Sequence, residues 1–152
     1  MSFLRQRRDY VAVRIGRCLA VGAYKQSSAI GEGPMAATET GSHWQQAVAV
    51  ALHPASKVSD QELSGVGCVS VTVCVADGYY SPKSPVDLPM TALYSSGKWS
   101  HAAMLALPAN AAPLAKQTAI LDGIACTRTG YCVVVGFYTA GKTIVPMVAA
   151  RT

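Results

Sequence analysis

Charge is scarce in this chain: Asp, Glu, Lys and Arg make up 14% of its 152 residues, against 51% hydrophobic. That balance excludes a disordered, highly charged segment, and the length suffices for one domain with a core. Long apolar runs are missing too. Nothing approaches the roughly 20 consecutive apolar residues of a membrane-spanning helix. Ala47–Leu52 is short, and Pro108 and Pro113 interrupt the next stretch, so no membrane span is expected. Capped segments of helical period are lacking beyond Ala47–Leu52, and almost no helix is expected. Arg5, Arg7, Arg8, Arg14 and Arg17 supply five of the 13 basic residues within the first 17 positions. Two of them break Tyr10–Leu19, which leaves no apolar region for a secretory signal. These arginines could form an arm for nucleic acid or anionic lipid. Without interleaved aromatic side chains they read instead as solvated, with Arg5, Arg7 and Arg8 in a basic leader over residues 1–9, and nucleic acid is not expected as a partner. G-x-S-x-G, the P-loop, H-E-x-x-H and the dinucleotide fingerprint are all missing, and no cofactor is expected.

What the sequence does have is self-similarity. Cys18, Gly22 and Tyr24 match Cys74, Gly78 and Tyr80, then Cys132, Gly136 and Tyr138, at offsets of 56 and 58 residues. Pro34-Met35 matches Pro89-Met90 and Pro146-Met147, and Trp44 matches Trp99. Anchors kept in step at a fixed period are the signature of a repeat architecture. The copies run over about 10–62, 63–120 and 121–152, within a single repeat domain spanning 1–152.

Each copy reads as β structure, because Val, Tyr and Phe suit a pleated surface. The glycine fixed in place at Gly22, Gly78 and Gly136 predicts a bulge or a close backbone approach. The middle copy predicts four strands, about Leu63–Cys68, Val73–Tyr80, Leu88–Ser95 and Lys98–Leu107, with turn residues between them. The fold class expected is all-β, in repeated four-stranded antiparallel sheets. One such sheet per copy gives a partial β-propeller of about three blades.

Gly65-Val66-Gly67-Cys68, the run from Cys74 to Tyr80, and Gly97-Lys98-Trp99 resemble the β-propeller-like repeats of secreted bacterial, especially actinobacterial, proteins. The resemblance covers nearly the whole chain and says little about function. It implies an extracellular location. Ala12 departs from it, standing where the first Cys of a pair would be, and the third copy reaches Thr152 without its Trp. The pattern reads as a slice of a longer array.

Four of the five Cys form two C-x5-C pairs, Cys68/Cys74 and Cys126/Cys132. A single extended strand would hold such a pair about 20 Å apart, whereas a hairpin would bring the two side chains together. Disulfides are preferred over free thiols. Metal binding comes last, because zinc ligands usually follow C-x2-4-C spacing with further Cys or His nearby. Cys18 has no partner and is expected to be free. Paired Cys favour an oxidising compartment.

Candidate binding residues are few. His43 beside Trp44, and His101 two residues after Trp99, could present an indole face and a polar edge to a sugar or peptide. The preferred reading is that both indoles are buried, in equivalent places, against the Tyr24 and Tyr80 strands, with the His side chains solvated. Asp77 stands where the other copies have Val21 and Val135, so it should face water, be paired, or sit as a perturbed carboxylate in a cleft. The function expected is a non-enzymatic binding or scaffold module. It would use variable inter-strand loops, notably Lys25–Gly33 and Ser81–Val86, to take a protein or glycan ligand. The rival is a glycan-acting hydrolase with Asp77, Glu39 and His43 converging on a propeller mouth; enzymatic activity therefore stays open, with a non-enzyme preferred. A degenerate fragment without function is the third reading. Apolar faces left bare at the outer copies should drive self-association.

Overall fold

A computed structural model describes residues 10–14, 17–25, 31–51 and 60–151, with side chains placed for 18–25, 31–51 and 60–150. The basic leader expected over 1–9 lies outside the described residues. Strands dominate, and the only helical piece among the described residues is a 3-10 turn at Leu114–Lys116.

Three antiparallel sheets follow one another along the chain. The first holds β1 (Tyr10–Arg14), β2 (Arg17–Lys25) and β3 (Glu32–Thr40), with the short β4 (His43–Trp44) and β5 (Val48–Ala49) both paired to β3. The second holds β6 (Asp60–Cys68), β7 (Val73–Lys83) and β8 (Val86–Ser95), with the short β9 (Lys98–Trp99) and β10 (Ala103–Met104) both paired to β8. The third holds β11 (Ile120–Cys126), β12 (Cys132–Ala140) and β13 (Thr143–Arg151). The expected all-β class and the antiparallel repetition are both present.

The fourth strand differs from expectation. Lys98–Leu107 breaks into two short pieces because its hydrogen bonds go elsewhere. The Ser100 hydroxyl accepts the Leu93 N–H at 3.0 Å, and the Ala102 N–H crosses to the Ala51 carbonyl of the preceding sheet at 2.7 Å. Every backbone donor needs a partner, and these bonds satisfy donors that a regular ladder would have used. Ser81–Val86, expected as a variable loop, is mostly strand ends around a tight turn, since β7 runs to Lys83 and β8 begins at Val86. The Ser81 hydroxyl closes that turn by donating to the Asp87 carboxylate. The other expected loop, Lys25–Gly33, falls largely outside the described residues.

The repeated glycine has a steric cause. The β6–β7 register slips between Leu63 and Gly65, leaving Ser64 as the extra residue of a bulge, and the β11–β12 register slips at the same place, leaving Asp122. A Cβ on Gly78 would collide with the Glu62 carbonyl, and one on Gly136 with the Ile120 carbonyl. Two strands approach across a bulge closely enough to exclude any side chain.

Packing follows the two-residue period of the strands, because residues directly opposite each other in a ladder share a face. Leu19, Val21, Ala36 and Val50 of the first sheet form one core with Leu63, Ala76, Met90 and Ala92 of the second. Fully burying a side chain such as Leu63 contributes about 2–3 kcal/mol. On the other side of the second sheet, β11 lies across β6, β7 and β8. A second core forms there around Leu121, Val134, Tyr138 and Met147, joined by Leu105 and Leu107 of the connecting segment.

Candidate functional site

Both predicted disulfides are formed, Cys68–Cys74 and Cys126–Cys132, and Cys18 is free. In each case the two Cys face each other directly across a hairpin. A hydroxyl orders each tip: Ser70 Oγ accepts the Thr72 and Val73 N–H groups, while the Thr127 and Thr129 hydroxyls bond each other at 2.8 Å. Cys18, one residue before the Leu19–Thr38 pair, lies beside Glu39, on the face of the first sheet away from the core. Hydrogen bonding of its thiol to the Glu39 carboxylate, with some burial, raises its pKa.

Asp77 is wholly buried, and neither carboxylate oxygen has a hydrogen-bond partner among the described residues. This corrects the expectation that it faces water or is paired. The cause lies in its neighbours. Gly65 sits directly opposite it on β6, and a Cβ there would come within 2.5 Å of Asp77 Oδ1. The carboxyl fills the space that this glycine leaves, and β11 closes over the position with Ile124. Burial raises the Asp77 pKa to about 6, its own backbone N–H pulls the other way, and the charge of Asp122 adds to the rise.

The two Trp hold equivalent register positions, Trp44 opposite Glu39 and Trp99 opposite Tyr94. Their surroundings differ. Trp99 is half-buried and tilted against Tyr94, with ring centroids 5.3 Å apart. Trp44 is 50% exposed, which corrects the expectation that both indoles are buried. Trp44 shares its face with Glu39, on the side of the first sheet that no described sheet covers, whereas the Tyr94 face meets the first sheet. His43 and His101 are both exposed beside these strands. The five candidates therefore do not make one site. Asp77 belongs to the junction of the second and third sheets, Trp99 to that of the first and second, and Trp44 to the free face of the first. Nor do Asp77, Glu39 and His43 converge, because Asp77 and Glu39 lie on faces separated by both sheets.

Two clefts mark the junctions. One of about 350 Å³ is lined by Val75, Thr91, Leu105, Cys132, Val134 and Ala149 and is largely apolar. The other, of about 290 Å³, brings Trp99 and Tyr94 together with Thr38, Thr40, Gln45 and Gln46. Gln45 and Gln46 did not stand out in the sequence, because their counterparts after Trp99 are Ser100 and His101, so the repeat does not mark the two amide side chains. Gln117 was missed too. It is fully buried, donates through Nε2 to the Ala112 and Thr139 carbonyls at 3.2 Å, and accepts the Thr139 N–H at 2.6 Å. It pins the connecting segment to β12. Among the described residues no group of three or more His, Cys, Asp or Glu side chains could hold a metal ion, and no helix is long and apolar enough to cross a membrane. No family model, no curated protein and no solved structure matches the chain.

Proposed function

We propose that the chain is a non-enzymatic binding module whose three sheets act as consecutive blades of a propeller-like array, and that it takes a glycan at the junction of the first two. The Trp99 cleft carries this assignment. An indole offers a flat apolar face to the C–H side of a sugar ring, while Thr38, Thr40, Gln45 and Gln46 offer hydroxyl and amide groups suited to sugar hydroxyls. Open clefts that combine an aromatic platform with a few convergent polar groups are where small ligands bind. The two disulfides favour an extracellular place of action, where such ligands abound and thiols stay oxidised.

The hydrolase alternative draws on Asp77, whose raised pKa would suit a general acid. Its carboxyl is closed off from solvent beneath β11, however, and a substrate would have no access to it. Binding is tested on an oligosaccharide array, followed by titration of the best hit against the Trp fluorescence. Gln46→Ala and Thr40→Val, both near the surface, should weaken the hit about tenfold or more without changing the circular dichroism spectrum. Failure of every oligosaccharide to bind, or undiminished binding by both variants, would overturn the glycan assignment.

A further inference from the structure

The outer face of the third sheet is apolar and bare. Val133, Val135 and Val148 are 39%, 45% and 71% exposed, and Ile144 beside them is more than half exposed. The register places Val133, Val135 and Ile144 on one face of β12 and β13, together with Val148. By the repeat spacing, Val133, Val135 and Val148 correspond to Val75, Asp77 and Thr91 of the second sheet. In the second sheet these positions receive the third sheet: Asp77 is sealed by β11, and Val75 and Thr91 border Cys132 and Val134. The bare face is thus the same surface that, one repeat earlier, is covered by the next repeat.

The complementary surface is present at the other end of the molecule. The third-sheet residues that meet the second sheet include Cys132, Val134, Met147 and Ala149, and their counterparts in the first sheet are Cys18, Ala20, Met35 and Ala37. These lie on the side of the first sheet away from the core. Trp44 supplies an independent pointer. Its counterpart Trp99 borders Ala36 and Thr38 of the preceding sheet, whereas no described sheet borders Trp44 in that way. The positions matching Ala36 and Thr38 in the third sheet are Val148 and Ala150, both exposed.

We propose that a second copy of this chain covers this face, docking its first sheet on the third sheet so that Trp44 lies over Val148 and Ala150. The contact is head-to-tail, with different surfaces on the two copies, and two copies can satisfy each other reciprocally. The resulting six sheets fall within the roughly four to eight blades of closed propellers.

Sedimentation velocity at about 20 μM tests the docking, with Val148→Glu and Trp44→Glu as single variants. Both positions are exposed in the single copy, so both variants should keep the wild-type circular dichroism spectrum. Wild type is expected at twice the 15.9 kDa chain mass, and each variant alone at the chain mass. An equimolar mixture of the two variants should recover a dimer, because one partner keeps an intact third sheet and the other an intact first sheet. A monomeric wild type would overturn the proposal, as would a Val148→Glu variant that still dimerises. Dimerisation by Trp44→Glu alone would show third sheets pairing with each other, and would overturn it as well.

Discussion

The two junctions between sheets use one repeat position in opposite ways. At the first junction it holds Val21, 2% exposed and packed against Leu63 and Met90; at the second it holds Asp77, 0% exposed and without a hydrogen-bond partner among the described residues. The third occurrence, Val135, is chemically identical to Val21 and yet lies open. Burial here is set by whether another sheet follows, and the side chain is fitted afterwards. A carboxyl survives at the second junction because Gly65 opens room beside it, while Gly67 lets β11 come so close that a Cβ there would lie 2.8 Å from Cys126 Sγ. The first junction achieves tight packing with branched side chains, and the second with glycines and one ionisable group.

If the junctions differ in this way, their responses to substitution should differ in magnitude and in pH dependence. Each comparison is best made by urea unfolding at a concentration low enough that a single species sediments. The largest effect is expected at the first junction, where Leu63→Ala should cost about 3–4 kcal/mol through lost burial and the cavity left behind. A cost below about 1 kcal/mol would mean the first two sheets are not in register contact.

Next comes Asp77. Its folded pKa of about 6 exceeds the roughly 3.9 of an unfolded Asp, so the folded chain holds a proton that the unfolded chain releases. No penalty exists below about pH 4; it grows between about pH 4 and 6 and is complete above pH 6. Wild type should therefore lose stability across that window, and Asp77→Asn should be about 3 kcal/mol more stable than wild type at pH 7.5 but equal to it near pH 4. An equal gain at both pH values would show that titration of this carboxyl is not the cause. Gly67→Ala should cost about 1–3 kcal/mol by overpacking against the Cys126–Cys132 disulfide. A neutral result would mean that β11 stands further off. Smallest and most diagnostic is the Trp pair: Trp99→Ala should cost about 2 kcal/mol, and Trp44→Ala under about 0.5 kcal/mol. Equal costs would erase the distinction between a covered and an uncovered face.

Much of this architecture was legible in the residues. The Cys-x-x-x-Gly-x-Tyr anchors located β2, β7 and β12, and the C-x5-C spacing placed both disulfides across hairpins. The fixed glycine implied a close approach, which proved to be the bulge opposite Gly78 and Gly136. Repetition makes such features visible, because the same steric demand is written three times. What repeats only once was hidden. Gln117 has no equivalent Gln one period earlier, and its bonds depend on where the connecting segment meets β12. The break in the second sheet's fourth strand depends on the Ser100 hydroxyl and on the bond from Ala102 to Ala51. Asp77 showed as an oddity, but its burial depends on Gly65 across the ladder and on a strand more than 40 residues away. The exposure of Trp44 was illegible for a similar reason: its repeat position matches that of a half-buried indole, and the two differ in whether a described sheet lies over them.

Each sheet is built from consecutive strands, and each disulfide closes a hairpin with a sequence separation of 6. Neither cross-link ties one sheet to another; among the described residues, packing, a few hydrogen bonds such as that from the Glu32 N–H to Asp60 Oδ1, and the continuous chain hold the three together. Under a stretching force applied to the two ends, the sheets should peel away one by one rather than yield as a unit. The hairpin tips would remain shut, each withholding about 20 Å of contour at roughly 3.5 Å per residue. A reductant would add those two increments to the extended length while leaving the order of peeling unchanged.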